Sequence, residues 1–186
     1  MIYLLRHGRD DEDFLGGWSD NKLTSKGIKQ IEEAAYLIKK SGIKINKIIT
    51  SPIYRAQQSA KIVSEILNIK DIEISDYLKE QNKGLLNGMN KEIANRDYPE
   101  FLIANPDTLY PEGESLRGLN KRIIGNIDWF NSLEDGTLLI THRGVINSFY
   151  YYLNNIPLDM NKTQFNVSFA SLHELDLDNK IIKKIF

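Results

Sequence analysis

Apolar positions along the chain form short continuous runs separated by longer stretches with helical spacing. The runs at 2–5, 45–50, 72–74 and 137–141 are typical of strands buried inside a sheet. Between them, apolar residues recur every three or four positions, which predicts helices that bury one face. The tail from about 168 to 186 is interpreted as two strands joined by a turn at Asp178-Asn179.

Capping residues indicate where the predicted helices begin and end. Thr24 is the expected N-cap of a first helix that ends at Ser41-Gly42. Ser51-Pro52 predicts the start of a second helix, because serine caps a helix and proline fits its first turn. Apolar spacing predicts a third helix over 116–130 and a fourth over 145–153.

Strands that alternate with helices predict an α/β fold. We expect a three-layer sandwich in which helices cover both faces of a mostly parallel central sheet. The segment 81–112 is the least regular part of the chain and is predicted to form a small irregular or helical lid. With 186 residues and no linker, we expect residues 1–186 to form a single domain.

Composition narrows the classes of function. The net charge of −1 argues against nucleic acid as a partner. The absence of cysteine excludes disulfides, cysteine nucleophiles and thiolate metal sites. No signal peptide and no apolar stretch of membrane-spanning length is found, so no membrane association and a cytoplasmic location are expected. A homodimer is compatible with this sequence but is not required by it.

Basic side chains follow three predicted strands. Arg6-His7-Gly8 comes after the first strand, Thr50-Ser51-Pro52 with Arg55 after the second, and His142-Arg143-Gly144 after the fourth. Because ligands of open α/β sheets bind beyond the carboxyl ends of the strands, these groups should converge at one edge. Arginine forks and helix N-termini both suit phosphate, so this edge is predicted to bind an anion. A neutral imidazole such as that of His7 is also a competent nucleophile there.

At these residues the chain resembles the histidine phosphatase superfamily, also called the phosphoglycerate mutase-like family. The motifs follow the family's order over nearly the whole chain. They are Leu5-Arg6-His7-Gly8, Leu23-Thr24 with Gly27 and Gln30, Ser51-Pro52 with Arg55-Ala56 and Ser59-Ala60, Leu78 with Glu80, Gly113-Glu114-Ser115, and Thr141-His142.

The resemblance implies a role for each matching residue. His7 would carry the phosphoryl group, while Arg6, Arg55 and His142 would bind its oxygens. Glu80 would protonate the leaving oxygen and then deprotonate the attacking water. The resemblance implies no metal and no cofactor, and a small phosphorylated metabolite as substrate. An activity optimum on the acid side of neutral is expected, since Glu80 must be protonated for the first step.

The chain departs from the family's pattern at several positions near the predicted site. Arg9-Asp10 replace the usual Glu or Gln and Thr, Asp13 stands where Asn is common, and Arg143 replaces Gly. Arg9 and Arg143 are therefore candidate phosphate-binding residues, whereas a carboxylate such as Asp13 would repel phosphate. The acids at 10–13 are interpreted either as a solvated loop paired with neighbouring arginines or as a contact for a cationic part of the substrate.

Three functions remain open at this point. The short chain lacks the long insertion of the family's cofactor-dependent mutases, which favours a phosphatase over a phosphoglycerate mutase-type phosphotransferase. A catalytically weak phosphate-binding module is the third alternative. A metal site at His7 and His142 is disfavoured because Arg6 and Arg55 would repel a cation. His173 lies outside any motif and is assigned a structural role.

Overall fold

The computed structural model describes residues 1–186 except residue 162 and the side chain of residue 102. It has a six-stranded sheet in the order β3-β2-β4-β1-β5-β6. The strands are β1 (Ile2–Arg6), β2 (Lys47–Thr50), β3 (Ile72–Ile74), β4 (Thr137–Thr141), β5 (Leu172–Asp176) and β6 (Ile181–Lys184). The first four strands are parallel, and β5 and β6 continue the sheet in antiparallel pairing. None of the helices in the described part of the chain is long and apolar enough to cross a membrane.

Helices cover both faces of this sheet. They are α1 (Ser25–Ser41), α2 (Tyr54–Leu67), α3 (Lys91–Asp97), α4 (Leu116–Ile124), α5 (Ile127–Asn131) and α6 (Arg143–Leu153). Successive strand residues point to opposite faces, so Leu5 packs with α1 and α2 while Leu4 packs with α4, α5 and α6. The predicted three-layer α/β architecture with a mostly parallel sheet is confirmed.

Two local predictions are wrong. The second helix begins at Tyr54 with Ile53 at its N-cap, not at Ser51-Pro52. The Ser51 hydroxyl instead accepts a hydrogen bond from the Ile53 amide and contacts a histidine in the site described below. The predicted helix over 116–130 is interrupted at Gly125 and Asn126, and the Asn126 side chain donates to the Arg122 carbonyl there.

The predicted caps of α1 and the irregular segment are found. The Thr24 side chain accepts from the Gly27 amide, and Gly42 ends α1 at a positive φ of 77°. The lid segment, residues 81–112, holds two 3₁₀ turns, α3 and a small apolar cluster of its own around Leu86 and Tyr110. Its backbone pairs with the loop that follows β1, through Leu15 N–H to the Met89 carbonyl.

Two glycines set how closely α1 approaches the turn after β1. A Cβ built on Gly27 would lie 2.1 Å from the Arg9 carbonyl oxygen, and one on Gly8 would lie 2.3 Å from the Gly27 carbonyl oxygen. These contacts are backbone to backbone, so no side-chain rotation relieves them. Because neither glycine has a side chain, the backbone of α1 packs directly against the turn after β1. This contact positions the residues that leave β1.

We expect Gly27→Ala to lower the free energy of unfolding by about 1–3 kcal/mol, because overpacking against rigid backbone is destabilising. Gly118→Ala is the matched control, since Gly118 occupies the equivalent helical position of α4 and its amide also donates to an N-cap hydroxyl. The nearest contact of a Cβ at Gly118 is a Glu114 side-chain carbon at 3.3 Å. Urea unfolding should show that Gly118→Ala changes the free energy of unfolding by about 1 kcal/mol or less. Equal effects of the two substitutions would contradict this packing.

Candidate active site

The carboxyl ends of β1, β2 and β4 bring the predicted basic residues together. Arg6 and His7 leave β1, Ser51 leaves β2, and His142 leaves β4 immediately before α6. The ring centroids of His7 and His142 are 5.1 Å apart. All four side chains are buried, with exposures of 7% or less.

The His7 ring is held in one orientation by both of its nitrogens. Nδ1 lies 2.7 Å from the Gly8 carbonyl oxygen, which can only accept, so the proton is on Nδ1. Nε2 is then the lone-pair nitrogen, and it accepts from Arg55 Nε at 3.2 Å. Burial lowers the pKa of His7 well below its usual value, and the nearby Arg55 charge adds to this. The arrangement keeps a neutral imidazole with a nucleophilic nitrogen.

Arg55 is almost completely buried and contacts both neutral groups and one carboxylate. Its guanidinium donates to the Gly17 carbonyl at 2.8 Å and to the Ser19 hydroxyl at 3.2 Å. Asp10 Oδ2 lies 3.4 Å from Arg55 Nε and is the carboxylate that pairs with it. Burial lowers the pKa of Arg55, and Asp10 opposes that shift.

Arg6 lies beside His7 under the segment that precedes β5. One terminal nitrogen donates to the Val167 carbonyl at 2.8 Å, and the guanidinium carbon lies 3.7 Å from the centre of the Phe169 ring. Burial and the like charge of Arg143 lower the pKa of Arg6 to about 9, so it remains charged at neutral pH. Arg6 Nε is buried without a hydrogen-bond partner in the described part of the chain.

His142 has one bonded and one unbonded ring nitrogen. Nε2 lies 2.8 Å from the Ser51 hydroxyl oxygen, whereas Nδ1 is buried with no partner among the described residues. Burial lowers the pKa of His142 well below its usual value, and Arg55 and Arg6 add to this effect. If the Ser51 hydroxyl donates to Nε2, the His142 proton lies on the unbonded Nδ1.

Unpartnered buried polar atoms are costly. One of them is Nε of Arg6, the residue next to His7, and the other is Nδ1 of His142, whose ring centroid lies 5.1 Å from that of His7. Arg6 is bonded to a carbonyl and has no ion pair among the described residues, whereas Asp10 compensates part of the Arg55 charge. The site can therefore bind an oxyanion such as a phosphoryl group.

Glu80 lines the same cavity as these basic residues. Its carboxylate accepts from the Gln81 amide at 2.9 Å and from the Gly144 amide, at the start of α6, at 3.2 Å. A Cβ on Gly144 would lie 2.2 Å from a Glu80 oxygen, so a side chain at residue 144 would force this carboxylate to move. The Glu80 carbonyl accepts from the Trp18 indole and from Arg122, which is paired with Glu114. These contacts fix a partly exposed carboxyl group at the site.

A cavity of about 230 Å³ opens at this edge of the sheet. The predicted residues Arg6, His7, Arg55, Glu80 and Arg143 line it. His142 is completely buried and is not part of the wall, and its ring centroid lies 5.1 Å from that of His7.

Three other residues that depart from the family pattern have surroundings unlike those of Arg143; they are Arg9, Asp10 and Asp13. The Arg9 guanidinium pairs with Glu12 at 2.5 Å and is not part of the cavity wall. Asp13 is exposed, and its carbonyl accepts from the Lys91 amide of the lid segment. Asp10 is buried against Arg55, and burial raises its pKa. The loop is therefore only partly the solvated, arginine-paired acidic segment of the first interpretation.

Several site residues are not predicted by the sequence. Ser51 follows β2 as expected, but its sequence context indicates a capping role rather than a contact with His142. The Val167 carbonyl, Phe169 and Trp18 reach the site through tertiary packing and carry no local sequence signal. His173 is buried between the Tyr150 and Ser171 hydroxyls, with ring nitrogens 2.9 and 2.8 Å from them. Among the described residues, no group of three or more histidine, aspartate and glutamate side chains is arranged to hold a metal ion.

The family model for the histidine phosphatase superfamily, branch 1, matches residues 2–183. The chain belongs to the histidine phosphatase superfamily. Its relatives include the 2,3-bisphosphoglycerate-dependent phosphoglycerate mutase of Parvibaculum lavamentivorans, which is 33% identical over 133 residues. That alignment covers 67% of this chain and 63% of the mutase, so the chain spans less than two thirds of this relative.

Other relatives of this histidine phosphatase chain match more of its length. A Bacillus subtilis protein described as the uncharacterized phosphatase PhoE is 27% identical, with 91% of this chain and 88% of that protein covered. The alpha-ribazole phosphatase from Shigella flexneri has a TM-score of 0.79 at 19% identity, covering 98% of this chain and 93% of that chain. A mycobacterial glucosyl-3-phosphoglycerate phosphatase in complex with inorganic phosphate has a TM-score of 0.77 at 19% identity, covering 100% and 95%. These two structures share the fold.

The lowered pKa values of the three histidines predict that the stability of the fold depends steeply on pH. Burial lowers the pKa of His7 and His142 well below 6.5 and that of His173 to about 4. Below pH 6.5 the unfolded chain therefore binds protons that the folded chain excludes. Each histidine should cost about 1.4 kcal/mol of stability per pH unit in this range.

Urea unfolding between pH 7.5 and 5.5 measures this effect. The free energy of unfolding should be constant above pH 7. At lower pH it should fall, with a slope that approaches the uptake of three protons on unfolding. His173→Gln, which removes one buried histidine outside the site, should reduce the slope toward two protons. A stability that stays constant down to pH 5.5 would show that the histidines titrate normally in the folded chain.

Proposed function

We propose that this chain is a metal-independent phosphoric monoester hydrolase that acts on a small phosphorylated metabolite through a phosphohistidine at His7. The observation that carries this proposal is the neutral His7 ring, whose lone-pair Nε2 accepts from Arg55 in a cavity that Arg6 and Arg143 also line. A nucleophile and donors for a developing oxyanion are thus provided in one buried place.

In the first half-reaction, His7 Nε2 attacks phosphorus and the bond from phosphorus to the ester oxygen breaks. Arg55 transfers its hydrogen bond from Nε2 to a phosphoryl oxygen, while Arg6 and His142 bind the other oxygens. The His7 Nδ1 proton stays on the ring, where the Gly8 carbonyl stabilises the positive charge that forms. Glu80 gives its proton to the departing alcohol oxygen.

In the second half-reaction, water attacks phosphorus and the bond from phosphorus to Nε2 breaks. The Glu80 carboxylate takes a proton from this water, and His7 returns to its neutral form. Two backbone amides hold Glu80 in place for both proton transfers. Free phosphate leaves with its charge still opposed by Arg6 and Arg55.

Arg143 is included in the phosphate-binding group, and Arg9 is not. The Arg143 side chain lines the cavity close enough to Arg6 to lower its pKa. It has no ion pair or hydrogen bond with any residue that the structure describes, so its charge is available to a substrate oxyanion. Arg9 is not part of the cavity wall, and its charge is paired with Glu12, which is part of that wall.

A phosphoglycerate mutase-type transfer is the second candidate, supported by the mutases among the relatives. Hydrolysis is favoured because the lid segment is short and Glu80 is partly exposed, which leaves water a path to the phosphohistidine. The phosphatases among the relatives and structural neighbours also support hydrolysis.

Phosphate release from two esters tests the proposal, with a chelator present. Phenyl phosphate has a good leaving group, whereas an alkyl phosphate needs its leaving oxygen protonated. His7→Ala should lose activity on both esters by at least about 10³-fold, because the nucleophile is gone. Glu80→Gln should lose about 10²-fold or more in kcat/KM on the alkyl ester and much less on phenyl phosphate, because kcat/KM reports only the steps up to release of the alcohol.

Glu92→Gln is the matched control, because Glu92 is an exposed carboxylate of the lid segment outside the cavity wall. It should hydrolyse both esters like the unmodified chain. Full activity of His7→Ala would contradict the proposal. Loss of activity on addition of the chelator would contradict its metal independence. Equal losses of kcat/KM on both esters in Glu80→Gln would argue against Glu80 as the acid.

A further inference from the structure

The peptide group between Glu80 and Gln81 links the carboxyl group of Glu80 to an arginine outside the cavity. Its N–H donates to Glu80 Oε1 at 2.9 Å, while its C=O accepts from the Trp18 indole at 2.7 Å and from Arg122 Nη2 at 3.1 Å. The peptide bond is trans, so its coplanar C=O and N–H groups point in opposite directions. Donors that fix the carbonyl oxygen therefore also fix the N–H that holds the carboxyl group.

Arg122 is held in place by a two-point ion pair with Glu114. Arg122 Nη2 lies 2.7 Å from Glu114 Oε1, and Arg122 Nε lies 3.3 Å from Glu114 Oε2. Such a fork fixes the plane of the guanidinium group. One hydrogen of Nη2 is used in this pair, and the other is shared by the Lys79 and Glu80 carbonyl oxygens, each 3.1 Å away.

Glu114 also holds the chain on the far side of the acid. Its Oε1 accepts from the Asn82 amide at 2.9 Å, and its own amide donates to the Asn82 carbonyl at 2.8 Å. The Gln81 side chain donates to the Glu114 carbonyl at 3.3 Å. A single ion pair thus contacts the backbone at Lys79, Glu80 and Asn82.

The ion pair is anchored to the core through α4. Arg122 belongs to this helix, whose residues Leu119 and Ile123 are buried in the apolar cluster on one face of the sheet. Residues 79–82, in contrast, lie between two 3₁₀ turns and belong to no helix or strand. Their position therefore depends on tertiary contacts such as those of Arg122 and Glu114.

We infer that Arg122, held by Glu114, is a positioning residue for the proton transfers of Glu80. It acts through the Glu80–Gln81 peptide group, whose N–H keeps the carboxyl group directed at the leaving oxygen and then at the attacking water. Neither Arg122 nor Glu114 is part of the cavity wall, so they act on Glu80 rather than on the substrate. This inference rests on the proposed phosphatase function and adds the residues that set the geometry of its acid.

The leaving group separates an effect on proton transfer from a general loss of structure. The quantity measured is kcat/KM for phenyl phosphate divided by kcat/KM for propyl phosphate, which is independent of the amount of folded protein in the sample. Arg122→Met should raise this ratio by about tenfold or more, because a displaced acid slows the ester that needs protonation. Arg122→Lys keeps the charge but not the fork and should raise the ratio by a smaller factor.

A double substitution tests whether Arg122 acts through Glu80. In Glu80→Gln the acid is already lost, so adding Arg122→Met should change the ratio by about twofold or less. Arg117→Met is the matched control, because Arg117 belongs to the same helix, pairs with both oxygens of Asp107 and is not part of the cavity wall. Its ratio should equal that of the unmodified chain.

Two results would overturn the positioning role while the proposed function stands. One is a ratio that stays unchanged in both Arg122→Met and Arg122→Lys. The other is an equal rise on adding Arg122→Met to the unmodified chain and to Glu80→Gln. If thermal unfolding shows that Arg122→Met does not fold, the same ratio in Arg122→Lys decides the question. Phenyl phosphate tests the function separately: if the unmodified chain does not hydrolyse it, the proposed function fails and this inference fails with it.

Discussion

The burial of positive charge next to a neutral imidazole is the constraint on which the site depends. Arg6 and Arg55 are 7% and 2% exposed, and Asp10 is the carboxylate in contact with Arg55. Carbonyl oxygens of Gly17 and Val167 supply much of the remaining hydrogen bonding. Carbonyls satisfy the guanidinium donors without cancelling their charge. The free protein therefore keeps a positive field where a phosphoryl group would be placed.

The fold maintains this costly arrangement through parallel strands and close backbone packing. Parallel pairing of β1 and β2 with β4 brings the strand ends to one edge, so that His7, Ser51 and His142 meet. The contact between Gly8 and Gly27 then fixes the turn that carries His7. Burial lowers the pKa of His7 and keeps the ring neutral, and the same charges that attract phosphate add to this effect. Substrate affinity and nucleophile activation thus come from one cluster.

Much of this arrangement can be predicted from the sequence, for physical reasons. Apolar runs and helical spacing locate the strands, and the strand-end rule alone brings His7, Arg55 and His142 to one edge of the sheet. The prediction for Ser51 is wrong because a serine that precedes a proline is a local helix signal, whereas the Ser51 hydroxyl is used across the sheet. The contacts of the Val167 carbonyl and Phe169 with Arg6 have no sequence signal, because tertiary packing alone brings the segment before β5 over the site.

Detection of phosphate on His7 tests the central claim most directly. The unmodified chain is mixed with ³²P-labelled phenyl phosphate and quenched in base within milliseconds to seconds, and the labelled peptide is then identified by mass spectrometry. The account predicts a label on the peptide that contains His7, stable in base, lost in acid and absent from His7→Ala. Release of labelled phosphate without any labelled protein at the shortest times, or a label on another residue, would contradict it.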